Sequence, residues 1–261
     1  MRIEFEKYHG TGNDFIMIDI RGQTIPQSPD IIAQLCERRF GIGADGLIML
    51  GTSAKNDFSM RYFNADGHES SMCGNGGRCI TAFAQRLGVI RKEATFEAVD
   101  GMHRANILSQ TGNLYEVSLQ MADVKASSWN EEGIFLDTGS PHFIQIREDI
   151  DNIDINYEGR KLRNSPMFSP GGTNVDFIEG SDDFLHIRTY ERGVEAETLS
   201  CGTGVTAAAI GWAIKNGLDG PVKVKARGGM LEVSFNKNGN HFEHVYLQGP
   251  VAYVFSGNID I

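Results

Sequence analysis

The sequence has no run of apolar residues long enough to cross a bilayer, which takes about 20 residues. Its first residues alternate in polarity and carry charge, so they lack the apolar core of a signal peptide. Positive charge is also in short supply: 34 acidic residues against 24 basic ones give a net charge of −10. This balance argues against nucleic acid and anionic membrane as partners. We therefore expect a cytoplasmic protein whose partner is a small molecule.

Cysteine is scarce, and the chain has only Cys36, Cys73, Cys79 and Cys201. There is no Cys-x-x-Cys pair, so we expect no zinc site, and a reducing compartment makes structural disulfides unexpected. Cys36 and Cys79 fall among apolar residues of predicted helices, where a cysteine is usually a small core residue. Cys73 and Cys201 remain as the candidates for chemistry.

The usual cofactor motifs are missing as well. The phosphate-binding pattern Gly-x-x-x-x-Gly-Lys-Ser/Thr does not occur, and no predicted strand runs into Gly-x-Gly-x-x-Gly. No phosphate cradle with a partnered lysine is evident, as pyridoxal phosphate would require. We therefore expect neither a cofactor nor a metal.

One motif occurs twice, with a cysteine at the same place in each copy. Residues 72–78 read Met-Cys-Gly-Asn-Gly-Gly-Arg, and residues 200–206, 128 positions later, read Ser-Cys-Gly-Thr-Gly-Val-Thr. Each copy follows a strand-like segment and opens a helix-like one, which predicts a cysteine at each helix N-terminus. The start of a helix has N–H groups without intrahelical acceptors and the positive end of the dipole. It therefore binds anions and favours a thiolate.

Further landmarks repeat in the same order at nearly the same offset. Residues 43–47 align with residues 171–175, and Asn64 aligns with Arg192, each nine residues before its cysteine. Such a duplication predicts two similarly folded halves. Each half is rich in strands and has one long helix, so we expect an α/β (α+β) fold with strands wrapped around a central helix. Packing about a pseudo-twofold axis would direct both cysteines at one ligand.

Local patterns predict several boundaries. A helix is expected to start at Pro29, with Ser28 as its cap, and to stop near Gly41. Apolar residues at i, i+3, i+4 and i+7 predict helices after both cysteines, ending near Gly88 and Gly217. Three strands are expected between residues 94 and 119, and four between residues 221 and 255.

Two thiols facing one amino acid suit the transfer of a proton on and off its α-carbon. Without an electron sink, this reaction needs one group to remove the proton, a second to deliver it, and strong stabilisation of the developing charge. The two helix starts could stabilise the α-carboxylate as it becomes an enediolate. A thiol has an unperturbed pKa of about 8.5, which is close enough to neutrality for either role. One thiolate and one thiol are expected at rest.

The chain as a whole resembles the diaminopimelate epimerase family. The resemblance depends on seven segments: 9–15, 63–67, 72–76, 139–142, 173–175, 191–193 and 200–204. It implies two pseudo-symmetric halves, with the final strand returning to the first half, and usually a homodimer. The implied halves are residues 1–117 with 250–261, and residues 118–249. The implied activity is interconversion of LL- and meso-2,6-diaminopimelate in lysine and peptidoglycan precursor synthesis, without pyridoxal phosphate or metal.

The resemblance also assigns roles to residues. Cys73 and Cys201 would be the acid/base thiols, and His142 and Glu191 would tune them. The reacting carboxylate would be held by Gly74, Asn75, Gly202 and Thr203. The remaining substrate contacts would come from Asn13, Asn64, Asn174, Glu191 and Arg192. Arg192 would pair with the distal carboxylate, for which a guanidinium fork is well suited.

Two positions depart from the family pattern, and both would lie on the distal side of the substrate. Ser140 stands where the family often has Asn, and Gly46 stands where it often has Gln. Two other functions remain open at this point. One is a racemase or epimerase of another amino acid, of the proline, hydroxyproline or histidine type. The other is a non-catalytic protein that closes on an amino acid.

Overall fold

The computed structural model describes all 261 residues, which form two compact units. One unit comprises Met1–Leu119 with Gly249–Ile261, and the other comprises Gln120–Gln248. The division predicted from the sequence lies two residues from the boundary at 119 and one from that at 249. No helix is both long and apolar enough to span a membrane.

The first unit contains two helices and the eight strands that begin before residue 120. Its helices are α1 (Pro29–Cys36) and α2 (Gly74–Arg86). Its strands are β1 (Arg2–Gly10), β2 (Asn13–Asp19), β3 (Gly46–Gly51), β4 (Phe58–Asn64), β5 (Glu69–Ser70), β6 (Glu93–Ala98), β7 (Gly101–Thr111) and β8 (Leu114–Gln120).

The second unit has a matching set of elements. Its helices are α3 (Ile155–Arg163) and α4 (Gly202–Asn216), with short 3-10 turns at Ile150–Asn152 and Pro166–Phe168. Its strands are β9 (Val124–Lys125), β10 (Ile134–Asp137), β11 (Pro141–Ile146), β12 (Asn174–Gly180), β13 (Leu185–Glu191), β14 (Ala196–Thr198), β15 (Val222–Ala226), β16 (Gly229–Asn238) and the first part of β17 (His241–Asp260).

Strand pairing follows the same scheme in both units. β2 and β3 are parallel neighbours, as are β11 and β12, and in both units the next pair, β3–β4 or β12–β13, is antiparallel. The parallel β4–β6 pair likewise corresponds to β13–β15. The duplication inferred from the motifs is therefore present in the topology as well.

Each unit is organised around its long helix. α2 packs against β1, β2, β3 and β7, and α4 packs against β10 to β13, β15 and β16. Residues 74–84 of α2 are all buried, so this helix is covered on every side rather than along one stripe. The mixed fold with strands around a central helix agrees with the sequence prediction. Burial therefore reaches the first turn of α2, which directly follows Cys73.

The last strand, β17, belongs to both units along its length. Its first part pairs with β16, from Glu232↔Gln248 to Asn238↔His241. Its last part pairs antiparallel with β1, from Gly10↔Val251 to Arg2↔Asp260. The C-terminal residues thus complete the sheet that begins with the first residues of the chain.

Three local predictions were wrong. The first helix ends at Cys36 rather than near Gly41, because N–H groups of the following loop already satisfy its final carbonyls; Ile42 and Gly43 both donate to Leu35 O, at 2.9 and 3.1 Å. Ser28 precedes the helix, but its side chain makes no capping hydrogen bond. The region from residue 221 to 255 contains three strands rather than four, because β17 runs through without a break.

Candidate active site

The predicted site residues form one cluster in each unit, and these clusters are the first and second half-sites. The first half-site lies at the start of α2. Cys73 is the N-cap residue in extended conformation, and its Sγ accepts a hydrogen bond from the N–H of Gly76 at 3.2 Å. A β-carbon at position 76 would lie 3.1 Å from that sulfur and 2.9 Å from Ile48 Cδ1. Glycine at this position therefore lets the sulfur sit directly over the first turn, where the helix dipole and the first N–H groups favour negative charge.

Asn75 is held in place beside this cysteine. Its Nδ2 donates to Asn13 Oδ1 at 3.2 Å, and its Oδ1 accepts from Arg78 Nη2 at 2.6 Å. Asn13 in turn donates through Nδ2 to Asp45 Oδ2 at 2.8 Å. Two of the predicted substrate-binding residues, Asn13 and Asn75, are thus in direct contact.

The turn that carries Asn13 is anchored by ion pairs. Asp14 contacts both Lys7 Nζ and Arg38 Nη2 at 2.7 Å, and Arg38 also contacts Asp45 at 2.6 Å. Burial raises the pKa of Asp14, but hydrogen bonds from Arg38 and Lys7 outweigh it and hold that pKa well below its usual value. The carboxylate stays ionised at neutral pH, and so the turn keeps its anchor.

Asn64 and Gly46 lie side by side on β4 and β3 of the same unit. A β-carbon at position 46 would lie 2.6 Å from the ring of Tyr62 and 2.6 Å from Phe63 O. The ring of Tyr62 therefore occupies the space that a longer side chain at position 46 would need. This explains in steric terms why the departure at position 46 is a glycine.

The second half-site is a chain of hydrogen bonds that leads from the start of α4 into the core. Cys201 Sγ lies 3.4 Å from Thr203 Oγ1, which lies 2.9 Å from His142 Nε2. His142 Nδ1 lies 2.7 Å from Asp176 Oδ2, and both side chains are fully buried. Since a carboxylate only accepts, a proton lies on Nδ1, and in that tautomer Nε2 accepts from Thr203.

Asn174 connects the strand ends around this chain. Its Nδ2 donates to Ser140 Oγ and to Pro141 O, both at 2.9 Å, and its Oδ1 accepts the backbone N–H of Arg192 at 2.8 Å. Both ends of the amide are therefore engaged in positioning their neighbours. The serine at position 140, the other departure from the family pattern, serves as one of those acceptors.

Glu191 and Arg192 follow Tyr190 at the end of β13. Arg192 is exposed, and its Nη1 donates to Gly171 O at 3.2 Å. Glu191 is half-buried and lies close enough to Cys201 to affect its ionisation. The strand end thus presents a carboxylate near the thiol and a guanidinium towards solvent.

The surroundings of Cys201 keep it protonated. Burial, followed by the negative charges of Glu191 and Asp176, raises the pKa of the Cys201 thiol well above its ordinary value. Hydrogen bonding with Thr203 and with the N–H of Gly204 acts in the opposite direction without overcoming this effect. The helix start therefore does not make Cys201 a thiolate, and of the expected pair of one thiolate and one thiol, Cys201 takes the place of the thiol.

Gly204 offers a test of how tightly this half-site is packed. A β-carbon there would lie 2.7 Å from Asp176 Oδ1 and 3.1 Å from His142 Cε1. We expect Gly204→Ala to displace the His142–Asp176 pair and to lower the free energy of unfolding by about 1–3 kcal/mol, measured by urea denaturation. Gly211→Ala in the same helix, where the nearest atom is a methyl of Ile134 at 3.2 Å, is the control. Equal stability of the two variants would contradict the prediction.

The structure brings the predicted residues together in two groups. Cys73, Gly74, Asn75 and Asn13 cluster in one unit, and Cys201, Thr203, His142, Asn174, Glu191 and Arg192 cluster in the other. Sequence reasoning missed Asp176 and Arg78. Asp176 was detectable by strand alternation, since it faces the same side of β12 as Asn174. Arg78 was detectable by helix spacing, since it follows Asn75 by one turn.

Comparison with known proteins first defines the class by fold. A phenazine biosynthesis protein of the PhzF family from Bacillus anthracis aligns over 100% of both chains with a TM-score of 0.77 and 16% identity. A probable proline racemase from Agrobacterium radiobacter aligns over 99% of this chain and 93% of its own, with a TM-score of 0.73 and 15% identity. The chain therefore has the fold that PhzF-type proteins and proline racemases share.

Sequence comparison then identifies the family. The family model for diaminopimelate epimerase matches residues 5–126 and 134–254. The diaminopimelate epimerase of Flavobacterium psychrophilum is 47% identical over 256 residues, which span 97% of this chain and 98% of the relative. The chain belongs to the diaminopimelate epimerase family.

Proposed function

We propose that the chain catalyses interconversion of LL- and meso-2,6-diaminopimelate, without a cofactor, through Cys73 and Cys201. The observation that carries the proposal is the duplicated placement of these residues: each is the N-cap of the central helix of its unit. Membership of the family supplies the substrate. The same duplicated geometry matches a reaction that needs two acid/base groups and a single anion-binding environment.

The proposed reaction moves one proton off the α-carbon and another onto its opposite face. The thiolate of one cysteine takes the α-proton, and the electron pair is delocalised into the carboxylate. N–H groups at residues 74, 75, 202 and 203 stabilise that growing charge more strongly than the ground state, so they lower the barrier. The other thiol then protonates the carbon, leaving a thiol where the thiolate was and a thiolate where the thiol was.

His142 and Glu191 serve this exchange by controlling the second thiol. In the tautomer with the proton on Nδ1, Nε2 of His142 accepts from Thr203, whose hydroxyl oxygen is then free to accept the thiol proton of Cys201. The negative charge of Glu191 favours the protonated thiol. Asn13, Asn64 and Asn174 complete the proposed substrate contacts. Asn174 also holds the neighbouring loops in place through its own hydrogen bonds.

Deuterium incorporation tests the function directly. Purified, reduced protein incubated with LL- or meso-diaminopimelate in deuterated water should introduce one deuterium at an α-carbon, detected by mass spectrometry. The same assay with L-proline, trans-4-hydroxy-L-proline and L-histidine tests the racemase alternative. No exchange with diaminopimelate, or faster exchange with one of the other amino acids, would overturn the proposal.

Arg192 is proposed to bind the distal carboxylate. We expect Arg192→Gln to raise the KM for diaminopimelate about 100-fold, because charge-assisted hydrogen bonds contribute about 1.5–3 kcal/mol. Arg160→Gln, a change to an exposed arginine of the same unit, is the control and should leave KM within threefold. L-Lysine has the same chain without the distal carboxylate, so both variants should use it equally poorly. An unchanged KM in Arg192→Gln would exclude this role.

The cellular context is proposed from the composition and the family. We infer a cytoplasmic enzyme of lysine and peptidoglycan precursor synthesis that acts as a homodimer. We also infer two domains, residues 1–117 with 250–261 and residues 118–249. Sedimentation equilibrium tests the dimer, for which a mass near twice 28.7 kDa is expected.

A further inference from the structure

Arg78 is the largest side chain in the chain that is fully buried. It lies in the first half of α2, and its guanidinium has no exposed surface. Arginine is almost never fully buried without a paired charge, because removing a cation from water is costly. An arginine retained at such a position therefore needs a reason beyond packing.

The hydrogen bonds of Arg78 go only to neutral side chains. Nη2 donates to Asn75 Oδ1 at 2.6 Å and lies 3.5 Å from Thr11 Oγ1, whereas Nε and Nη1 have no hydrogen-bond partner. Because a guanidinium keeps its proton in proteins, this position holds a positive charge that has no hydrogen-bonded anion. The charge belongs to a residue one helical turn after Asn75 in α2.

The backbone around Arg78 is shaped to admit it. A β-carbon on Gly10, the last residue of β1, would lie 3.3 Å from Arg78 Nη2 and 3.4 Å from Cys79 Sγ. Glycine therefore lets the end of β1 approach the guanidinium closely. The contact joins α2 to the turn that carries Asn13.

The groups that interact electrostatically with Arg78 indicate which anion its positive charge stabilises. Burial lowers the pKa of Arg78, while Cys79, Cys73 and Glu116 raise it. Cys79 is fully buried and burial raises its pKa, so it stays a thiol. Asp14 of β2, whose charge also raises the pKa of Cys79, is already paired with Lys7 and Arg38. Cys73 is therefore the candidate anion near this charge, together with the half-buried Glu116 of β8.

We propose that Arg78 is a positioning residue of the first half-site, where its charge stabilises the thiolate of Cys73 and its fork fixes Asn75. The inference deepens the proposed function and rests on it for the role of Cys73. The second unit has no counterpart, since Thr206 stands 128 positions later and donates to Gly202 O at 2.9 Å. Cys201 instead has two carboxylates nearby. At rest, Cys73 is then the thiolate and Cys201 the thiol.

The test measures thiolate content directly and needs no turnover. In a Cys201→Ser background, the rate of Cys73 alkylation by iodoacetamide is followed from pH 5 to 10 by peptide mass spectrometry, which separates Cys73 from Cys36 and Cys79. We expect Arg78→Met to slow alkylation at pH 7 about tenfold, which corresponds to a shift of about one pH unit in the profile. Arg78→Lys, which keeps the charge, should stay within threefold of its parent.

Controls separate this role from a structural one. Arg86→Met removes the same charge from the exposed end of α2 and should leave the rate within twofold. Arg78→Gln keeps a donor for Asn75 and should behave as Arg78→Met does, which preserves the test if the methionine variant does not fold. A merely structural arginine would lower the melting temperature in Arg78→Met and leave the alkylation profile of Arg78→Gln unchanged; that result would overturn the proposal. Absence of deuterium exchange with diaminopimelate in the protein that keeps both Cys73 and Cys201 would instead contradict the proposed function.

Discussion

Replacing Cys73 or Cys201 with alanine is expected to lower kcat for epimerisation by at least about 1000-fold. General acid or base catalysis contributes about 100- to 10,000-fold per group, and each variant lacks the group on one face of the substrate. The KM should change little, because the groups proposed to bind the carboxylate are backbone N–H groups, which both variants keep. A coupled assay that consumes one stereoisomer measures the loss.

Cys36 supplies the matched control for this experiment. It is buried in α1, and burial raises the pKa of its thiol to about 12, so it has no thiolate at neutral pH. Cys36→Ala should therefore keep kcat within threefold. A variant of Cys73 or Cys201 that retains a tenth of the parent kcat would contradict the two-thiol mechanism.

Replacing Asp176 with asparagine is expected to lower kcat about 100-fold and the free energy of unfolding by about 1–3 kcal/mol. The buried carboxylate accepts from His142 Nδ1 at 2.7 Å and from Thr189 Oγ1 at 2.7 Å. Asparagine offers an N–H towards Nδ1, which favours the other tautomer of the ring. Nε2 would then carry the proton and could no longer accept from Thr203. Steady-state kinetics and urea denaturation measure the two effects.

Thr189→Val separates the two contributions. It removes one hydrogen bond to Asp176 but leaves the contact with His142 in place. We expect a loss of stability of about 1 kcal/mol with kcat within threefold of the parent. If Thr189→Val lowered kcat as much as Asp176→Asn does, general loosening of the core rather than the tautomer of His142 would explain the result.

The architecture was predictable from the sequence because the duplication left matching glycine and cysteine landmarks. Both central helices and their N-terminal cysteines follow from the motif and the apolar spacing, and the structure confirms them. The helix α3 was not predicted. Only Ile155 and Gly159 are buried in it, so its apolar stripe is too sparse to recognise by periodicity.

The chemistry around the cysteines was predictable only in part, because it depends on contacts between distant segments. Parallel pairing of β11 with β12 brings His142 beside Asn174, 32 positions away in the chain. Strand alternation places Asp176 on the same side of β12 as Asn174, but only the pairing of β11 with β12 brings its carboxylate to the ring of His142. The opposite electrostatic settings of the two helix starts arise in the same way, from an arginine in one unit and carboxylates in the other.

The pairing of β1 with the end of β17 also has a consequence for biosynthesis. The first unit needs residues 249–261 to complete its sheet, although the rest of that unit is synthesised first. Domains generally fold in order of emergence from the ribosome, and here that order is reversed. The second unit has all its residues before the first one does, so the nascent chain carries an unfinished amino-terminal sheet until residues 249–261 have been synthesised.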